Sequence, residues 1–145
     1  IEIPVEEMCV GPGRNAMGEG EFLVSIKLPL KNSSFSASYE RFIPRNEMDI
    51  AVAAVASSVS LENGKISSCR IALAAVGPTP IFAEEASKLL IGKEPSEENI
   101  KNASNKAKEL ASPISDMRGT VEHRKDLIEV LTRRTLSKAV ERVGV

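Results

Sequence analysis

Phe22, Val24, Ile26 and Leu28 alternate with Leu23, Ser25 and Lys27, and Pro29 comes next. An apolar period of two predicts a strand, stopped at one end by the proline. Ser36 to Ile43 predicts a second, more polar strand. The alanines of Ile50 to Leu61 suit a helix as well as a strand, and the residues directly after them decide between the two. Asn63-Gly64 is a strong hairpin signal, because a type I′ turn needs φ > 0 at both central residues. It joins Ile50–Leu61 to Lys65–Val76 as two long strands. After Val76 the apolar period lengthens to that of a helix. Thr79-Pro80 predicts a cap and first helical position, with Phe82, Ala86, Leu89 and Leu90 on one face and Gly92 closing the end. Pro95 opens a second helix carrying Ile100, Ala103, Ala107 and Leu110. Ser112-Pro113 breaks it. Thr120 caps a third helix running to about Arg142, with Leu127, Ile128, Leu131, Leu136, Ala139 and Val140 turned inward. Strands first and helices afterwards predict an α+β fold: an antiparallel β-sheet covered on one face by three C-terminal helices.

The chain of 145 residues can bury a core without disulfide or metal staples. Its formal net charge of −1 gives no electrostatic reason to expect nucleic acid or anionic lipid as partner. Aromatic residues at 3% leave few rings on which bases could stack. No apolar run reaches the about 20 residues that span a bilayer. Cys9 and Cys69 match no zinc or disulfide framework and suggest a reducing compartment, so a cytoplasmic location is expected. The start IEIPVEEMCV has no Met and no basic leader, which points to a fragment or a processed chain.

Four groups of residues invite a chemical reading. Gly11, Gly13, Gly18 and Gly20 share one loop. A phosphate cradle requires a helix after the glycines, and here a strand is predicted, so a plain connection is favoured. Cys9, Cys69 and His123 could supply a nucleophile and a base, but no orienting partner is visible and a structural role is favoured. Asp116 and Arg118, just before the last helix, read as an anchor tying a loop to a helix end. The stretch SYERFIPRNEMDIAVAAVA crowds Arg41, Arg45, Glu47 and Asp49 against an apolar run. If Ser36–Ile43 is an edge strand, Tyr39, Arg41 and Ile43 share a face. Arg41 could then hold an anionic or polarised ligand, with Arg45 paired to Glu47 or Asp49. Equally, these charges could guard a free sheet edge against aggregation.

GPGRNAMGEGEFLVSIKLP, YERFIPRNEMDIAVAAVA, RIALAAVGPTPIFAEEASKLLIGK and SDMRGTVEHRKDLIEVLTRRTL together resemble, in order, the FAD-binding medium subunit of the molybdenum hydroxylases. That family includes aerobic carbon monoxide dehydrogenase and xanthine dehydrogenase. The resemblance implies that residues 1–30 are the tail of an FAD-binding lobe, a loop plus its last strand. Residues 31–145 would form the C-terminal α+β domain that closes over the flavin. It places Leu23 where the family packs an aliphatic side chain near the flavin. Arg41 stands where the family usually has a Lys close to the isoalloxazine, and Arg45 and Asp49 match a loop-ordering ion pair beside it. His123 stands where relatives usually have Tyr. No catalytic residue and no metal ligand is implied in this chain.

The implied activity is that of a multi-subunit FAD-dependent oxidoreductase. Substrate would be oxidised at a molybdenum cofactor on a large subunit, and electrons would pass through [2Fe–2S] clusters on a small subunit to FAD and on to an acceptor. The implied partners are those two subunits and the N-terminal FAD-binding lobes. Without the pyrophosphate-gripping lobes this chain would not retain FAD and would be inactive alone. The alternative is a flavin-free α+β docking domain.

Overall fold

The computed structural model describes residues 1–29, 33–45 and 48–143. Asn63 and Gly64 take φ of 51° and 74°, the left-handed pair that a two-residue hairpin turn demands. Ahead of this hairpin lie a short helix α1 (Val5–Met8), a small ribbon of β1 (Cys9–Gly11) and β2 (Arg14–Asn15), and β3 (Phe35–Phe42). The turn itself joins β4 (Ala53–Glu62) to β5 (Lys65–Ala74). After them come β6 (Ile81–Phe82), α2 (Glu84–Lys88), α3 (Glu97–Leu110) and α4 (Val121–Glu141).

The main sheet runs β3-β4-β5-β6 with every pair antiparallel, so β3 is an edge strand. Between β4 and β5 the register shifts after Ser60, leaving Ser67 as an extra residue. This bulge lets Ile66 and Cys69 both face the core although they are an odd number of positions apart. α4 packs on β4 and β3, α3 on α4, and α2 on β5 and α3, so all three helices lie on one face. The α+β expectation holds.

Val55, Val59, Ile71 and Leu73 meet Leu90, Ile100, Ile128 and Leu136 in the core. Each fully buried branched side chain contributes about 1.5–3 kcal/mol. Ser96 and Thr120 cap α3 and α4 by accepting from the Asn99 and His123 amides at 3.3 and 3.2 Å. Gly92, at φ 77°, donates its N–H to the Ile66 carbonyl at 2.8 Å and ties the end of α2 to β5.

Two expectations fail. Phe22–Leu28 forms no strand, and Phe22, Val24, Ile26 and Leu28 are all exposed, at 73–83%. Alternation prepares two faces, but a strand exists only through hydrogen bonds to a neighbouring strand. Among the described residues no ladder receives this segment. Thr79-Pro80 does not start a helix either. Residues 81–82 pair with β5, and α2 begins only at Glu84. The Ala83 amide still donates to the Ile71 carbonyl at 2.8 Å, so pairing with β5 overrides the local cap signal. Leu89 consequently turns partly outward.

One polar pair crosses the core. Ser57 Oγ lies 2.7 Å from Thr135 Oγ1, both buried. Thr135 donates its single hydroxyl proton to backbone carbonyls of its own helix, Leu131 at 2.9 Å or Thr132 at 3.2 Å, so Ser57 is the donor to Thr135. Thr135→Val should leave the Ser57 hydroxyl unpaired and cost on the order of 1–3 kcal/mol in urea unfolding. Adding Ser57→Ala should recover part of that loss. Strictly additive losses would show that the hydroxyls are not coupled.

Candidate functional site

With the helices on one face, the other face of the sheet stays open, and its floor is made of small residues. Strand register sets out three rows: Ala37 beside Ser58 beside Arg70; Tyr39, Ala56, Ala72 and Phe82; and Arg41, Ala54 and Ala74. Tyr39 and Phe82 wall a groove of about 560 Å³ over Ala56 and Ala72, and Val5 of α1 closes its far side. Arg70 pairs with Glu6 of α1 and lays its guanidinium 4.3 Å from the Phe82 ring centre.

Arg41 lies in the next row along, exposed, and its side chain makes no hydrogen bond or ion pair among the described residues. Arg45 and Asp49 do come together, Nε to Oδ2 at 3.6 Å. Arg45 also donates to the Met48 carbonyl at 3.4 Å, and Asp49 accepts from the Ile50 amide at 2.9 Å. Asp49 is the anchored member, its side chain 9% exposed, while Arg45 reaches into solvent. Met48, at φ 47°, bends the loop sharply between them. Glu47 lies outside the described residues. Leu23 is exposed within the extended stretch 21–29 and makes no hydrogen bond or ion pair with the charged loop.

Sequence reasoning missed Arg124. It is only 5% exposed. Its Nη1 donates to the Val52 carbonyl at 2.7 Å and to the Ala75 carbonyl at 3.3 Å, and its Nη2 to Asp116 Oδ1 at 2.7 Å. Its Nε has no acceptor among the described residues. Ala75 stands at φ 62°, an uncommon conformation for a side-chain-bearing residue. The signal for Arg124 was present: positions 124, 128, 131 and 135 form one stripe of α4, and all are buried.

The anchoring read from Asp116 and Arg118 is real, but its main partner is Arg124. Arg118 contributes its backbone N–H to Asp116 Oδ1 at 2.8 Å and only a long 3.9 Å ion pair. The other chemical readings dissolve. Cys69 faces the core, where burial pushes its thiol up to about 12, whereas Cys9 is exposed beside the groove. His123 sets its ring edge-on to Phe42 at 6.0 Å. The glycine segment forms the β1–β2 ribbon with no helix after it. Among the described residues no group of His, Cys, Asp or Glu could hold a metal ion, and no helix is long and apolar enough to cross a membrane.

A four-stranded antiparallel sheet roofed by helices on one side, with its other face paved largely in alanine and serine, defines a two-layer α+β domain. The chain belongs to the CO dehydrogenase flavoprotein C-terminal domain family, whose sequence pattern matches residues 38–139. It is 33% identical over 127 residues to the carbon monoxide dehydrogenase medium chain of Afipia carboxidovorans, covering 88% of this chain and 44% of that protein. It is 26% identical over 143 residues to the xanthine dehydrogenase FAD-binding subunit of Escherichia coli O157:H7, covering 98% and 49%. The fold superimposes on carbon monoxide dehydrogenase from Hydrogenophaga pseudoflava with a TM-score of 0.90 and 28% identity, covering 95% of this chain and 48% of that one. The chain thus spans about half the length of the relatives it matches.

The Asp116–Arg124 contact carries a pH signature. Hydrogen bonds from Arg124 first, then from the Arg118 amide, hold the Asp116 carboxyl below its ordinary value. Its contribution is complete above the ordinary carboxylate range and is lost as pH falls through the lower folded value. Asp116→Asn should therefore be less stable than the parent near pH 7, with the gap closing below about pH 4 in urea melts. A gap independent of pH would contradict the ion pair.

Proposed function

We propose that this chain is the C-terminal part of the flavoprotein subunit of a molybdenum hydroxylase, and that its open sheet face and the Arg41–Asp49 loop border the isoalloxazine of FAD. One observation carries the reading: Arg41, a cation with no ion-pair partner among the described residues, stands on the open face of an edge strand beside alanines, in a chain of this family.

The residues present suit the ring and not the pyrophosphate. Ala74, small and half-buried, lets a planar group approach the backbone, and Arg41 offers a planar cation at the edge. The Arg45–Asp49 pair holds the loop's shape, and Leu23 supplies an aliphatic contact. For a pyrophosphate there is, among the described residues, no glycine turn leading into a helix. The N-terminal lobes would have to hold that part, with residues 1–30 as the tail of the second lobe and residues 31–145 as the closing domain. When bound, FAD supplies the electron-carrying chemistry. Arg41 would favour negative charge building up at its edge, and the sheet would exclude water from one side.

The molybdenum cofactor and the [2Fe–2S] clusters belong, in this proposal, to a large and a small partner subunit in the cytoplasm. The exposed apolar run at 22–28 fits the same picture, since a strand left without a neighbour is completed by a lobe's sheet.

Titrating the purified chain with FAD, followed by visible absorbance, should show weak binding or none. Supplying N-terminal FAD-binding lobes in trans should give stoichiometric yellow protein. Tight binding by the chain alone would overturn the division of labour, and no binding with the lobes present would favour a flavin-free docking domain. In the reconstituted subunit Arg41→Ala should slow flavin reduction by an artificial electron donor about tenfold, or about 1.4 kcal/mol, because the reduced, anionic ring loses its stabilising cation. FAD content should change little. An unchanged rate would remove Arg41 from the mechanism.

A further inference from the structure

The candidate loop has a root, and one side chain holds it. The chain leaves the sheet after Phe42 and rejoins it at Val52, where the Val52 amide donates to the Phe42 carbonyl at 2.9 Å. The carbonyl of the same Val52 is gripped from the opposite side by Arg124 at 2.7 Å. Both polar groups of that residue are thus fixed, one by β3 and one by α4. Arg124 also takes the Ala75 carbonyl, one residue beyond the end of β5. A single guanidinium therefore ties the start of β4 to the end of β5, and through the Val52 amide the end of β3 is held beside them, at the end of the sheet where Arg41 sits.

Behind it, the 115–121 connection orients the guanidinium. Asp116 and Gly119 exchange both backbone hydrogen bonds, at 3.1 and 3.2 Å. The Val121 amide donates to Ser115 Oγ at 3.0 Å, and Asp116 Oδ1 faces Arg124 Nη2. A Cβ at Gly119 would come within 3.1 Å of the His123 ring, so this turn fits tightly against α4. His123 in turn meets Phe42, the residue next to Arg41.

We infer that Arg124, oriented by Asp116, is a positioning residue for the flavin-side loop: it sets the direction of Arg41 and the Arg45–Asp49 pair by fixing the Val52 and Ala75 carbonyls. The inference rests on the proposed flavin site for its functional part, but its mechanical part stands on this chain alone. Lysine cannot replace Arg124, because a point charge with one head nitrogen cannot bridge two carbonyls and a carboxylate in the geometry of the planar fork.

Hydrogen exchange on the chain tests the mechanics. Arg124→Lys should raise exchange across 41–53 about tenfold while α3 stays protected, the mark of local opening. Unchanged exchange at 41–53, or a rise shared equally with α3, would overturn the role. Should Arg124→Lys not yield folded protein, Asp116→Asn makes the same comparison, with a smaller rise expected.

The midpoint potential of the flavin, in the subunit reconstituted with its N-terminal lobes, tests the function. Arg41→Ala should make it more negative, and Arg124→Lys should move it part of the way in the same direction. The double variant should match Arg41→Ala. A potential moved by Arg41→Ala but not by Arg124→Lys would overturn the positioning role alone. A potential that Arg41→Ala leaves unmoved would sink the flavin reading, and the functional part of this inference with it.

Discussion

A guanidinium cannot be buried at the end of a sheet unless its charge and its donors are met where they stand. Arg124 meets that condition at Nη1 and Nη2, with Nε alone lacking an acceptor among the described residues, through one carboxylate and two carbonyls drawn from the 115–121 connection, the start of β4 and the end of β5. The β4–β5 ladder already brings Val52 and Ala75 close, and Arg124 ties that end of the sheet to the 115–121 connection and to α4. Apolar packing holds α4 against the sheet but is non-directional. The fixed geometry of the fork turns that packing into a defined end of the sheet, from which the charged loop departs.

The second consequence of the layout is asymmetry. All three helices spend their apolar stripes on one face, where Val55, Ile71 and Leu73 lie. Among the described residues the opposite face carries alanines and serines with Tyr39, Phe82, Arg41 and Arg70. Side chains this small cannot build a core among themselves, yet they let a flat group or another domain come close to the backbone. The exposed Phe22, Val24, Ile26 and Leu28 add an apolar run that no ladder among the described residues satisfies. Both features agree with the proposal that further protein completes this surface, as does a chain that spans about half the length of its relatives.

Much of the fold was legible in the residues. Asn63-Gly64 fixed a hairpin that the alanines of β4 left ambiguous, because its backbone demand is local and strict. The α3 and α4 stripes and the Thr120 cap were readable for the same reason. The misreadings all depended on partners distant in sequence. Thr79-Pro80 carries a sound cap signal, but pairing of 81–82 with β5 supersedes it. The alternation at 22–28 is a real strand pattern without a strand to pair with. At the site, Arg45 with Asp49 was legible as an i,i+4 pair. Arg124 was not singled out, because a charged residue among Glu122, His123, Lys125 and Asp126 reads as solvated surface until the stripe through Ile128 and Leu131 is traced. Placing Leu23 and Arg41 beside a flavin came from likeness to a family and not from any local pattern.

The central claim is that the open sheet face at Arg41 borders a flavin. It is tested most directly by an experimental structure of this chain assembled with N-terminal FAD-binding lobes and FAD. The account predicts the Arg41 guanidinium within about 4–6 Å of the isoalloxazine, the range over which an opposite charge is strongly felt. It also predicts that Ala74, half-buried in the chain alone, becomes shielded from solvent. An isoalloxazine seated elsewhere, with Arg41 turned to bulk water, would contradict it.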